Sequence, residues 1–219
     1  MTTTLDSPTR SGRALDSATI AALVGAAVAF NVGGALHPND SGTGNKVAQL
    51  HDMLLDGAWY PSHVGLLVSF ALFSVALARL HHHPLAPATR RTAGVMVVVS
   101  AATTVAMVPH LLAPLGAASL ADGQQSALSV FMTIDETLAD APWAVGIALL
   151  ALVGGVATDL GNRVTAVLGV VGGLCFAAAA VTIPFTDALD GLFAVGGLGI
   201  TLWALGVAAV GAWRRRTAR

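Results

Sequence analysis

The stretch HPNDSGTGNKVAQLHDMLLDGAWYPSH, residues 37–63, decides the fold: it is the longest polar interval between two strongly apolar segments and holds three of the seven histidines. On either side, residues 16–36 and 59–80 are apolar over about the 20 residues that a helix needs to cross a hydrocarbon core. Working outward, the same kind of run recurs over 92–112, 142–156 with its flanks, 164–184 and 192–213. Of the 219 residues 55% are hydrophobic and only 11% charged, with a mean hydropathy of +0.73. That balance is far from a soluble globular domain. The fold class expected is an all-α integral membrane protein: a six-transmembrane-helix bundle with a short helix in each of two outer connections.

Residues 1–15 read as a disordered cytoplasmic tail rich in Thr, Ser, Pro and Arg, 16–213 as the membrane domain, and 214–219 as a basic cytoplasmic tail. The apolar run starts too late for a cleaved signal and continues straight into GGALHP. After it Pro38, Asn39, Asp40, Ser41 and Gly42 break the helix. The single cysteine, Cys175, lies in an apolar segment, so no intrachain disulfide can form.

Orientation follows from the arginines. Arg10, Arg13, Arg79, Arg90, Arg91, Arg163, Arg214, Arg215, Arg216 and Arg219 all fall on one side of the six-span arrangement, and the only lysine, Lys46, falls on the other. The positive-inside rule then makes both termini cytoplasmic. Nearly all remaining acids map outward: Asp40, Asp52, Asp56, Asp122, Asp135, Glu136, Asp140, Asp187 and Asp190. Scarce lysine beside abundant Ala, Gly, Val and Arg suits a high-GC bacterial coding sequence, which points to a bacterial plasma membrane.

Two outer connections have helical patterns of their own. Over 45–56, Val47, Leu50, Leu54 and Leu55 recur at helical spacing behind a possible cap at Asn45, with His51 on the apolar stripe and Lys46, Gln49, Asp52 and Asp56 largely off it. Over 124–138, Leu128, Phe131, Asp135 and Leu138 share a face, which puts a carboxylate on an apolar surface. Three inward-running helices begin Asp56-Gly-Ala-Trp59, Asp140-Ala-Pro-Trp143 and Asp190-Gly-Leu-Phe193. Those acids read as helix caps and the aromatics as interfacial anchors, so Asp56, Asp140 and Asp190 are set apart from the candidate site. The GxxxG spacing of Gly169 and Gly173 reads as close helix packing.

The topology sorts the histidines. His81, His82 and His83 belong to the arginine side, whereas His37, His51, His63 and His110 share the outer level with Asp135 and Glu136. Ionisable groups at membrane depth are costly unless paired, ligated or wet. Neutral imidazoles suit a transition metal (Zn, Cu or Fe) or haem iron. The expected site therefore has His37, His51, His63 and His110 as metal ligands and Asp135 or Glu136 as a further ligand or proton carrier. The corresponding function is that of an oxidoreductase or hydrolase acting on a membrane lipid or quinone-like substrate, with no nucleic-acid partner. The alternative is a non-enzymatic transporter or accessory subunit, its path lined by Asn31, Thr103 and Thr104. Ser62 beside His63 is not a catalytic dyad, because adjacent helical residues do not face each other.

Overall fold

A computed structural model describes residues 14–39 and 44–218. Most of the tail expected over 1–15 lies outside the described residues, as do Arg10, Arg13, Asp40, Ser41, Gly42 and Arg219. The helices are α1 (Ser17–Leu36), α2 (Lys46–Leu55), α3 (Trp59–His82), α4 (Pro87–Leu111), α5 (Ala117–Ala121), α6 (Ala127–Asp135), α7 (Ala141–Ala157), α8 (Arg163–Thr182) and α9 (Gly191–Thr217). Among the described residues there is no strand. Six helices are long and apolar enough to cross a membrane: α1, α3, α4, the joined stretch Ala127–Ala157, α8 and α9.

Local chemistry sets the helix starts. Asp16 caps α1 by accepting from the amides of Ala18 and Thr19 at 3.0 and 2.9 Å. Asn45 caps α2 through the Ala48 amide, and Asn162 and Thr165 form a reciprocal capping box on α8. Helix α4 begins five residues before the expected 92, because Pro87 occupies its first turn, where a missing N–H costs nothing. The side chain of Asp159 then holds this turn, accepting from the Ala86 amide and, at 3.1 Å, from the Thr89 hydroxyl.

In space the spans form a closed ring in the order α1, α3, α4, α7, α8, α9 and back to α1. Aromatic rings fill its middle: Trp143 of α7 meets Phe30, Phe70, Phe73 and Phe176, with centroids between 4.8 and 6.3 Å. Lipid supplies no hydrophobic drive between helices, so small residues and interhelical hydrogen bonds carry the contacts. Ser62 and Ser69 of α3 donate to the Gly33 and Ala26 carbonyls of α1, both at 2.9 Å. At the α8–α9 contact, a Cβ on Gly172 would stand 2.5 Å from the Ile200 amide nitrogen. Gly169, likewise, has no room for a methyl against Ala151 and Trp203, in line with the packing role expected of the glycines.

The two ends of the ring differ. One holds the arginines: Arg79 pairs with Asp16 at 2.9 Å, and Arg214 donates to the carbonyls of Thr158, Asp159 and Gly161. Hydrogen bonds from Thr19 and Arg79, with the guanidinium charge, outweigh the opposing effect of burial and hold Asp16 down to about 2. At the other end Lys46 is bridged to Asp187, and α2 and α5 form a cover in which Leu54, Ala117 and Leu120, joined by Met132 of α6, pack with Trp59.

Two expectations about the connections are corrected. Helix α7 starts at Ala141, as expected of the fourth span, but no connection separates it from the outer helix. It is continuous with α6 through a single π turn, Glu136–Asp140. Pro142 cannot donate to the carbonyl four residues back, and one wider turn accommodates it without ending the helix. That turn also re-aims the face: Ser129, Met132 and Asp135 are buried, whereas Leu138, expected beside Asp135, is 72% exposed. In α2 the stripe is rotated, with Gln49 buried and Leu55 exposed, because α2 packs on α5 as well as on α3.

Candidate functional site

Where α1, α3 and α4 end beneath the α2–α5 cover, four aromatic side chains come together. His37 is the residue that closes α1, His63 lies one turn into α3, and His110 lies in the last turn of α4. Ring centroids of His37 and His63 are 4.9 Å apart, and those of His63 and His110 5.0 Å. Trp59 stacks on His63 at 3.8 Å and lies nearly parallel to His110 at 5.7 Å, its indole N–H donating to the Leu111 carbonyl at 3.2 Å. Helical spacing explains the first stack, since Trp59 and His63 are one turn apart on the same face.

Each of the three imidazoles has its Nδ1 committed. His37 Nδ1 donates to the Pro38 carbonyl at 2.9 Å, His63 Nδ1 to the Trp59 carbonyl at 2.7 Å, and His110 Nδ1 to Asp135 Oδ2 at 2.8 Å. Because the acceptors are carbonyl and carboxylate oxygens, the Nδ1–H tautomer follows and Nε2 carries the lone pair. His63 Nε2 is buried and has no hydrogen-bond partner among the described residues. Burial pushes the pKa of His37 down, the hydrogen bond to Pro38 opposes this, and the nearness of His110 adds a smaller lowering.

Below the histidines the acids continue along the α6–π–α7 stretch. Asp135 is 1% exposed and Asp140 7% exposed, and one carboxylate oxygen of each is buried without a partner among the described residues. Glu136 sits within electrostatic reach of His110, Asp135 and Lys46. Asp140, the residue set apart as a cap, makes no capping hydrogen bond. At 1.5 Å per residue, the 17-residue α7 places it about 25 Å from the arginine end, inside a core of about 30 Å. One signal for this was present. From Ala127 to Val145 no glycine interrupts the pattern, so only Asp140, read as a cap, and Pro142 argued for a break.

His51 does not join the group. It faces Asp52 at 3.6 Å and shares no ring contact with the other three. Ser62 is committed to the Gly33 carbonyl. Asn31 lies on an exposed face of α1, Thr103 donates within the bundle to the Val99 and Ala139 carbonyls, and Thr104 donates to the Ser100 carbonyl, with its hydroxyl 3.2 Å from that of Ser74. Among the described residues, no three His, Cys, Asp or Glu side chains converge as a ready-made metal site.

On the lipid-facing side, a shallow groove of about 370 Å³ runs between α4 and the π turn. Its walls are chiefly Val98, Ala102, Phe131, Ile134 and Leu138, and Asp135 and Thr103 border it. The nearest polar residues to this opening are thus those that anchor His110 and the π turn. No family model, no curated protein and no solved structure matches the chain.

Proposed function

We propose that this multi-pass membrane protein binds a transition metal, Zn, Cu or Fe, on His37, His63 and His110, and acts there on a lipid or quinone-like molecule. The observation that carries the reading is the shared arrangement of the rings. Three imidazoles from three helices each tie Nδ1 to an oxygen acceptor, which is how metal-binding histidines are normally held and aimed. Neighbouring imidazoles on one tetrahedral ion, with bonds of about 2.0 Å, stand with ring centres about 5 Å apart; His37–His63 at 4.9 Å and His63–His110 at 5.0 Å suit that spacing, while His37 and His110 share no ring contact and would have to close on the ion. Axial histidines of a haem face each other across the porphyrin, which these close, tilted pairs do not suit, so the proposal drops haem and His51.

Three nitrogen donors with a position open to water or substrate are the pattern of catalytic rather than structural sites. Such an ion supplies Lewis acidity or, for iron and copper, redox chemistry. Asp135 would hold His110 in its tautomer and orientation, and Glu136 and Asp140 would supply or receive protons. Trp59 and the α2–α5 cover would keep bulk water off His63. The groove beside Asp135 favours a substrate that arrives from the bilayer. By the positive-inside rule the site opens on the outer face of a bacterial plasma membrane, with the arginine end and both termini in the cytoplasm.

The reading is tested by metal analysis of detergent-purified, untagged protein and its His63→Ala and His110→Ala variants. Near-stoichiometric metal in the parent, lost in both variants, is expected. A metal-free parent after controlled metal reconstitution would overturn it.

A further inference from the structure

The arginine end holds more cations than its own acids and carbonyls use. Arg79 is paired with Asp16 and Arg214 is spent on three backbone carbonyls. Among the described residues Arg215 reaches only the Ser17 hydroxyl. Neither Arg215 nor Arg216 has a carboxylate partner among the described residues. Their place in the last turn of α9 suits the helix dipole, but that leaves their shared neighbour unexplained.

That neighbour is a groove of about 440 Å³ between α1 and α9. Ile20, Ala21, Val24 and Ala212 wall it, and Ser17, Arg215 and Arg216 lie at its polar end. Ser17, Ile20, Ala21 and Val24 follow one another at i, i+3, i+4 and i+7, a single stripe of α1 running about 10 Å into the bilayer. Trp213, 65% exposed one turn away, marks the interfacial level where indoles settle. Among the described residues Asp16, next to Ser17 in the chain, is already paired with Arg79. An apolar channel with two cations at head-group depth is complementary to one class of molecule.

We propose that this groove binds one anionic phospholipid, its phosphate held by Arg215 and Arg216 and the first part of an acyl chain lying along Ile20, Ala21 and Val24. The site is at the opposite end of the bundle from the histidines, and the proposal does not depend on the metal reading.

Native mass spectrometry of the full chain, released from detergent with phosphatidylglycerol or phosphatidylcholine, tests it. The parent should retain one phosphatidylglycerol in preference to phosphatidylcholine. Arg215→Gln with Arg216→Gln should weaken that binding about 30-fold, about fivefold for each juxtamembrane cation. Ala21→Trp, which fills the groove and keeps both charges, should abolish the preference as well. This variant decides the question if loss of the arginines impairs folding. Equal retention of both lipids, or full phosphatidylglycerol binding in Ala21→Trp, would overturn the proposal in favour of diffuse surface attraction. Displacement of the lipid by glycerol phosphate at matching concentration would overturn it in favour of a free-phosphate site.

Discussion

His110 Nδ1 and Asp135 Oδ2 lie 2.8 Å apart, joining the last turn of α4 to the start of the fourth span, with both side chains almost wholly buried. A carboxylate behind an imidazole fixes which nitrogen keeps the proton and which is free to bind. Asp135→Asn should weaken metal retention about 10- to 100-fold, the usual cost of losing such an outer partner, with the helical content by circular dichroism unchanged. Unaltered metal affinity in that variant would remove Asp135 from the site.

Asp140 makes a separate point. A buried carboxylate oxygen without a partner costs about 1–3 kcal/mol, more if charged. Asp140→Val, which removes the unpartnered oxygen, should therefore raise the thermal midpoint of the detergent-solubilised protein. If Asp140 relays protons, the same variant should slow turnover while leaving metal content intact. A lower midpoint would mean that the carboxylate has a partner that stabilises it.

Much of the fold could be read from residues alone, and the reasons are physical. Spans are dictated by length and apolarity, and the arginines sort the ends, so α1, α3, α8 and α9 fall within a few residues of expectation. His37, His63 and His110 could be placed at one level for the same reason, because each sits at the end of a span. What could not be read was azimuth. Which way Gln49, Leu55 and His51 face depends on α5 packing against α2, and Asp140 looked like a helix cap because a single π turn leaves no mark in the hydrophobic pattern.

Close packing yields a paired prediction. Gly172→Ala places a methyl 2.5 Å from the Ile200 amide nitrogen, so α8 and α9 must separate, at a cost of about 1–3 kcal/mol. Gly34→Ala meets no atom within 4 Å and should be neutral or stabilising by up to about 1 kcal/mol. Thermal midpoints of the two variants in one detergent compare them directly, and equal values would contradict the α8–α9 contact.

Acid should destabilise the fold through His37. Unfolded, its imidazole titrates at about 6.5; folded, its pKa is pushed down by burial, with Trp59 and His63 as its ring neighbours. Between those values the unfolded state binds more protons, so stability falls as pH falls below about 6.5. His37→Gln removes this contribution, and its thermal midpoint should drop less than the parent's between pH 7.5 and pH 5.5. A drop as large in the variant would show that His37 is not the group responsible.

The most direct test of the account is elemental analysis of the untagged protein after reconstitution with zinc, copper or iron, set beside His63→Ala and His51→Ala. The account predicts about one metal per chain in the parent and in His51→Ala, and none in His63→Ala. A parent that holds no metal, or metal that survives in His63→Ala, would contradict it.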